Sequence, residues 1–306
     1  MTSRENFLEP ETRDGVEVSA ELKAVWKKLL DLLEEFIRIC DKYDLRYCAD
    51  GGTLLGAIRH KGFVPWDDDI DVSLPREDFK RFLEIAQSEL RHPYFMQYTT
   101  TDPEHSQAYA CLRNVETAAI DTVWTKGKRR FCMGIGIDIF PIDYLPDDAR
   151  VQKMLRKNRM ILRVLAHAQR RIWKGLFERL VDSVFKVIYR CIGVSRLVKM
   201  RDANFGAFSK DECERCSNIA FNLGKNRAIW PKEIYDTRLM VPFEYLNVAV
   251  PVGYELYLGK VYGKDWRTPI RGRGDHDTLV VDAKRSYKEL LIERFGYKKE
   301  WVEGLP

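Results

Sequence analysis

The chain lacks the features that put a protein in a membrane or outside a cell. No uncharged apolar run reaches the roughly eighteen residues a spanning helix needs, so no transmembrane segment is expected. The N-terminus, Met1 to Gly15, has no apolar stretch of the kind a secretory signal carries. Seven cysteines, an odd number scattered at 40, 48, 111, 132, 191, 213 and 216, suit a reducing cytoplasm better than a disulfide framework. Cys213 and Cys216 form a lone pair with no second pair to complete a zinc site, and read as structural. There is no internal repeat and no low-complexity tract.

What is present is a chain of 306 residues, 45% apolar, enough to bury a sizeable core in one or two domains. The net charge of +5 conceals an asymmetry. Val151 to Arg201 holds fourteen Lys/Arg against Glu178 and Asp182, a net of +12, which leaves −7 for the rest. Any attraction for phosphate or an anionic surface is concentrated there.

The most informative stretch is Gly51–Asp71, GGTLLGAIRHKGFVPWDDDID. A Gly-Gly-Thr turn leads to an acidic cluster, and the cluster runs into an alternating strand pattern. Side chains alternate along a strand, so Asp69 and Asp71 share one face while Ile70, Val72 and Leu74 share the other. Paired carboxylates on an apolar footing suit a hard divalent cation, and Mg²⁺ takes carboxylates together with substrate phosphates. The glycines let backbone N–H groups approach those phosphates. A calcium loop is excluded, because Val72 stands where a glycine is required and Asp78 where a glutamate belongs. A solvated acidic loop does not explain the flanking Pro65-Trp66 and the strand. An Asp-x-Asp glycosyltransferase gives no reason for the glycines upstream.

A third carboxylate stands in Gly134–Asp143, GIGIDIFPID, where Ile135, Ile137 and Ile139 face one way and Asp138 the other. A charge within a buried strand is costly unless it is paired or bound to metal. Three carboxylates can hold two metal ions that clamp an in-line displacement.

Gly51 to Phe63, Pro65 to Asp71 and Ile137 to Pro141 together resemble the LicD family, which is related to fukutin and belongs to the nucleotidyltransferase superfamily. The resemblance is dense over about residues 20–145 and thins through Gly224-Lys225, Pro231-Lys232-Glu233 and Val241–Glu244 to Val261-Tyr262-Gly263. It implies a β-polymerase-like nucleotidyltransferase core. It also implies transfer of a phospho-alcohol such as phosphocholine, glycerol phosphate or ribitol phosphate from a CDP-activated donor to a glycan or lipid-linked glycan. By that resemblance Gly51, Gly52 and Thr53 cradle the donor phosphates, while Asp69, Asp71 and Asp138 bind Mg²⁺ or Mn²⁺ and carry catalysis. Arg59 and Lys61 are further candidates for the donor phosphates, and Lys225 matches a family Gly-Lys pair. His276 is a candidate acid–base, Arg113 is expected near the acidic site, and Trp66 is more a packing residue than a base-stacking one.

The expected fold class is α+β: a mixed-sheet core over 17–145, a mainly helical basic part over 146–306, and a mobile tail over 1–16. Helices are expected over 19–43, from Thr53 as cap to Lys61, from Pro75 to about 90, through 147–208, and near 253–262 and 282–295. Strands are expected at 46–49, 69–74, 94–99, 108–115, 118–123 and 134–140. Nucleotidyl transfer with release of pyrophosphate, and a non-catalytic glycan-pathway binding protein, remain alternatives. No nucleic-acid partner is expected. The protein is expected in the cytoplasm, at most peripheral at the inner membrane face, where the basic stretch would meet anionic lipid.

Overall fold

The computed structural model describes residues 4–168, 175–218, 229–270 and 278–306. It opens on a hairpin, β1 (Glu11–Arg13) and β2 (Val16–Val18), turned through Asp14 and Gly15, both at positive φ. The expected mobile tail is therefore tied down. Phe7 is buried edge-on to Tyr245, and the buried Lys23 ammonium pairs with Glu11 at 2.7 Å over the Phe7 ring. Asp-Gly between two short runs is a type I′ hairpin signal, and it was available in the sequence.

Helix α1 (Ala20–Lys42) is capped by the Ser19 hydroxyl, which accepts from the Leu22 N–H. Its stripe of Trp26, Leu29, Leu33 and Phe36 is fully buried. Each such side chain contributes roughly 1.5–3 kcal/mol. Then come β3 (Cys48–Ala49), α2 (Gly51–Arg59), β4 (Asp71–Pro75), α3 (Arg76–Glu89), β5 (Tyr94–Gln97), β6 (Ala110–Asn114), β7 (Ala118–Asp121), α4 (Thr122–Lys126) and β8 (Ile135–Leu145). The basic region forms α5 (Asp148–Ala168), α6 (Leu176–Ile192) and α7 (Val194–Phe205), within the stretch expected to be helical.

After them lie β9 (Arg215–Ser217), β10 (Trp230–Pro231), β11 (Arg238–Phe243), β12 (Leu246–Pro251), α8 (Tyr254–Tyr262), β13 (Leu279–Asp282), α9 (Tyr287–Glu293) and α10 (Lys299–Val302). The last third thus mixes short strands with helices. The expected final helix is α9, which begins at Tyr287, and the residues just before it, Leu279–Asp282, pair with β7.

The main sheet has seven strands in the path β10-β9-β8-β4-β3, with β6 added to β8 and β5 to β6. It is mixed, since β4 and β8 run parallel while β6 and β9 run antiparallel to β8. The protein is therefore an α+β fold with a mixed sheet. Residue 145 is no boundary: β8 ends there paired with β9, and Trp230, Phe243, Val250 and Leu258 share one core with Trp26, Leu74 and Ile139. Among the described residues no helix is long and apolar enough to cross a membrane.

Candidate active site

The sheet register assembles the site. Asp71 on β4 stands directly opposite Asp138 on β8, and Asp138 opposite Cys111 on β6. Ile70, Val72 and Leu74 are buried on the far side, and Ile137 and Ile139 flank Asp138 the same way. The alternation in the sequence thus produces one row of carboxylates. Asp69 lies just before β4 rather than within it, and it shares a hydrogen bond with Asp67.

These acids crowd one another. Burial, then the charges of Asp69, Asp138, Asp50 and Asp67, push the Asp71 carboxyl well above the usual carboxylate range. Burial and then Asp69 do the same to Asp67. Burial also raises Asp138, against which the Arg113 guanidinium acts. Cys111 donates its thiol hydrogen to Asp138 Oδ1 at 2.8 Å, and burial keeps that thiol protonated. Arg113 reaches Cys111 Sγ at 3.3 Å and Gln97 Oε1 at 2.9 Å. Arg113 therefore sits beside the acidic site as expected, as a counter-charge to Asp138.

The glycine pair fits this crowding. Gly51 lies at φ +50°, and a Cβ there would come within 2.8 Å of Asp71 Oδ2. A Cβ on Gly52 would meet Asp67 Oδ2 at 2.5 Å. Gly52→Ala should therefore displace Asp67 while leaving the core untouched. We expect transfer activity to fall about tenfold or more with a melting shift of only a few degrees. Equal activity in the variant would show that the close approach is incidental.

Two expected roles change. Thr53 does not cap α2; Asp50 does, accepting from the Gly51 N–H at 2.9 Å. Thr53 lies inside the first turn, where its hydroxyl accepts from the Asp71 N–H at 2.8 Å and fixes the start of β4. The Gly51 N–H also meets the Tyr257 hydroxyl at 3.1 Å, so it is directed at Asp50 and Tyr257 rather than at a phosphate. The N–H groups of Gly52 and Thr53, which a helix's first turn leaves outside its own bonding, are the ones placed to meet an anion.

Arg59, His60 and Lys61 sit at the opposite end of α2. They line a separate cavity of about 630 Å³ with Arg13, Asp14, Glu244 and Arg267, into which none of the carboxylate row reaches. Arg59 Nη1 donates to the Trp266 carbonyl at 2.8 Å, and His60 pairs with Asp14 at 2.6 Å. Neither Arg59 nor Lys61 is brought to the acids. Lys225 and His276 lie outside the described residues. Trp66 packs against the main core.

Several residues escaped the sequence reading. Asp50 is fully buried, held by Tyr257 and Asn218, and its charge acts on Asp71. Tyr109 and Tyr262 flank the acids: burial and then Asp138 raise the Tyr109 hydroxyl, and burial and then Asp67 raise that of Tyr262. An acid at a helix N-cap was the available signal for Asp50. Nothing local marks Tyr109, and Tyr262 was noted only within the Val261-Tyr262-Gly263 stretch of the resemblance, without a role at the acids.

Among the described residues, no three Asp, Glu, His or Cys side chains close into a ready-made metal cage. Mg²⁺ does not need one, since it usually binds through one or two carboxylates plus substrate phosphates. The all-oxygen donors Asp71, Asp138 and Asp69 fit such an ion. Their repulsion of one another, and of any incoming phosphate, gives the ion a reason to bind.

Residues 44–161 match the family described as LicD/FKTN/FKRP, nucleotidyltransferase domain. The chain is 29% identical over 247 residues to the lipopolysaccharide cholinephosphotransferase LicD of Haemophilus influenzae, covering 78% of this chain and 89% of that protein. It is 40% identical over 42 residues to the ribitol 5-phosphate transferase FKRP of Homo sapiens, a segment that is 14% of this chain and 8% of FKRP. An uncharacterized protein of Rickettsia typhi, RT0683, shares 39% identity over 57 residues. The matched segment contains the Gly-Gly turn, β4 and β8, and it is over this segment that the chain is similar to the LicD family.

Proposed function

We propose that the protein is a metal-dependent transferase that moves a phospho-alcohol from a CDP-activated donor to a hydroxyl of a glycan or its lipid-linked precursor, releasing CMP. The observation that carries this reading is the register that sets Asp71 beside Asp138, next to the first turn of α2. The cholinephosphotransferase and ribitol phosphate transferase named among its relatives support a substituted phosphate as the group moved. On this reading the core is a nucleotidyltransferase-type fold with the chemistry turned to the distal phosphorus.

Asp71, Asp138 and Asp69 would hold Mg²⁺ or Mn²⁺. The bound ion would neutralise phosphate charge and lower the pKa of the acceptor hydroxyl. The first-turn N–H groups of Gly52 and Thr53 orient the donor phosphates. Asp138 takes the acceptor proton. Arg113 and the Cys111 thiol hold that carboxylate in one orientation.

Attack at the other phosphorus, as in nucleotidyl transfer, would use the same carboxylates, so the products decide. The protein is incubated with CDP-choline, CDP-glycerol, CDP-ribitol and nucleoside triphosphates, each with candidate glycan acceptors. CMP with a phosphodiester-linked product is expected. Pyrophosphate with a nucleotide-capped product would overturn the reading in favour of nucleotidyl transfer. No turnover of any donor, with tight binding of the glycan, would make the protein a non-catalytic binder.

A further inference from the structure

Helix α6 is apolar around more than half its circumference, yet only part of that surface is covered. Phe185, Ile188, Tyr189 and Ile192 pack inward against Val164, Leu165 and Leu197. The fully buried residue of α6 is Asp182, held by His167 Nδ1 at 2.6 Å. On the outer side Leu176 is 72% exposed, Phe177 78%, Leu180 59%, Val184 60% and Val187 59%. At about 100° per residue these five occupy one continuous arc of about 100°. Lys186, Arg179 and Arg190 occupy the adjoining edge of the helix, on the side away from Ile188.

We propose that α6 is an interfacial anchor that lies flat on an anionic lipid surface. Its outer arc would enter the headgroup–acyl boundary, with Arg179, Lys186 and Arg190 on lipid phosphates. An apolar stripe with a basic margin is the pattern by which amphipathic helices bind such surfaces. Anionic headgroups also draw in basic residues near the bilayer. A second copy is a poorer occupant. The arc on a helix about 26 Å long offers roughly 250 Å², well short of the about 800 Å² per partner of a stable interface. An antiparallel two-fold pairing through it would also set basic edge against basic edge.

The sequence pointed to lipid through charge alone, over Val151–Arg201. The structure moves the contact to the apolar arc of α6 and removes Arg201, which is buried and bonded to Tyr98 and Gln107. Arg170, Arg171 and Lys174 lie outside the described residues. The proposal does not depend on the transferase reading, because its test contains no donor or acceptor.

The full chain is floated with vesicles of phosphatidylcholine alone and with vesicles doped with phosphatidylglycerol. Partitioning into the anionic vesicles should exceed that into neutral ones by about tenfold or more and should fall with added salt. Leu180→Asp with Val184→Asp should reduce it about thirtyfold, and Arg179→Glu with Arg190→Glu by a similar factor. Melting temperatures should hold, because these side chains face solvent; Leu180→Ser with Val184→Ser serves if the aspartates unfold the helix. Equal partitioning into both vesicle types, or wild-type partitioning by folded variants, would overturn the proposal. So would sedimentation showing self-association that the Leu180/Val184 variants abolish, without lipid binding.

Discussion

Asp71→Asn and Asp138→Asn should each lower kcat/KM about a thousandfold or more while leaving the fold intact. The two carboxylates face each other across the parallel strands β4 and β8. Removing either takes away charge that the site uses to hold a cation and to position phosphate, an effect of several kcal/mol on the transition state. Stability should move the other way. Burial and neighbouring acids raise both carboxyls above their unfolded values. The folded state then binds protons more tightly than the unfolded chain, so stability is lost as pH rises through the unfolded and then the folded pKa. In chelator at neutral pH the Asn variants should therefore melt at or above wild type, with the gap closing toward acid. Melting curves across pH, together with initial rates, check both halves. An active Asp71→Asn enzyme, or one that unfolds in chelator, would contradict the account.

Arg76→Ala should destabilise the protein by about 3–5 kcal/mol, the range expected when one member of a buried ion pair is removed. Arg76 meets Asp143 through two bonds of 2.7 Å, and both side chains are buried. The pair joins the start of α3 to β8, and the guanidinium also lies over Phe79 and Phe205. Deleting the arginine leaves an uncompensated carboxylate in the core. Replacing both members, Arg76→Met with Asp143→Leu, should restore most of the loss, because neither charge is then stranded. Urea unfolding of the single and double variants measures this. A single variant within about 1 kcal/mol of wild type would mean the pair is not desolvated as its burial implies.

The carboxylate row could be read from the sequence because strand alternation is local. Asp71 and Asp138 each sit among Ile, Val and Leu at a spacing of two, and that spacing alone sends them to one face. The order of α1, β4, α3 and β8 followed from equally local periodicity. What was not legible depends on partners far along the chain. Asp50 is buried because Tyr257 and Asn218 reach it, more than 160 residues away. Tyr262 joins the acids through α8, whose docking no local pattern reports. Strands β9 and β13 are three and four residues long, too short for a period, and exist because β8 and β7 offer edges. Arg59 and Lys61 were misplaced for a simpler reason. They were expected to reach the donor phosphates from the end of the short helix, but nine residues of helix carry that end about 12 Å away from Gly51.

The claim that the acids of β4 and β8 form a divalent-cation site for a phosphorylated donor can be measured without turnover. Mn²⁺ is titrated into the protein in the presence of CDP, and the free ion is followed by its electron paramagnetic resonance signal. Wild type should bind Mn²⁺ more tightly with CDP than without it, and Asp138→Asn should lose at least tenfold in affinity while keeping its melting temperature. Binding by Asp138→Asn and Asp71→Asn equal to wild type, or no binding by wild type at all, would contradict it.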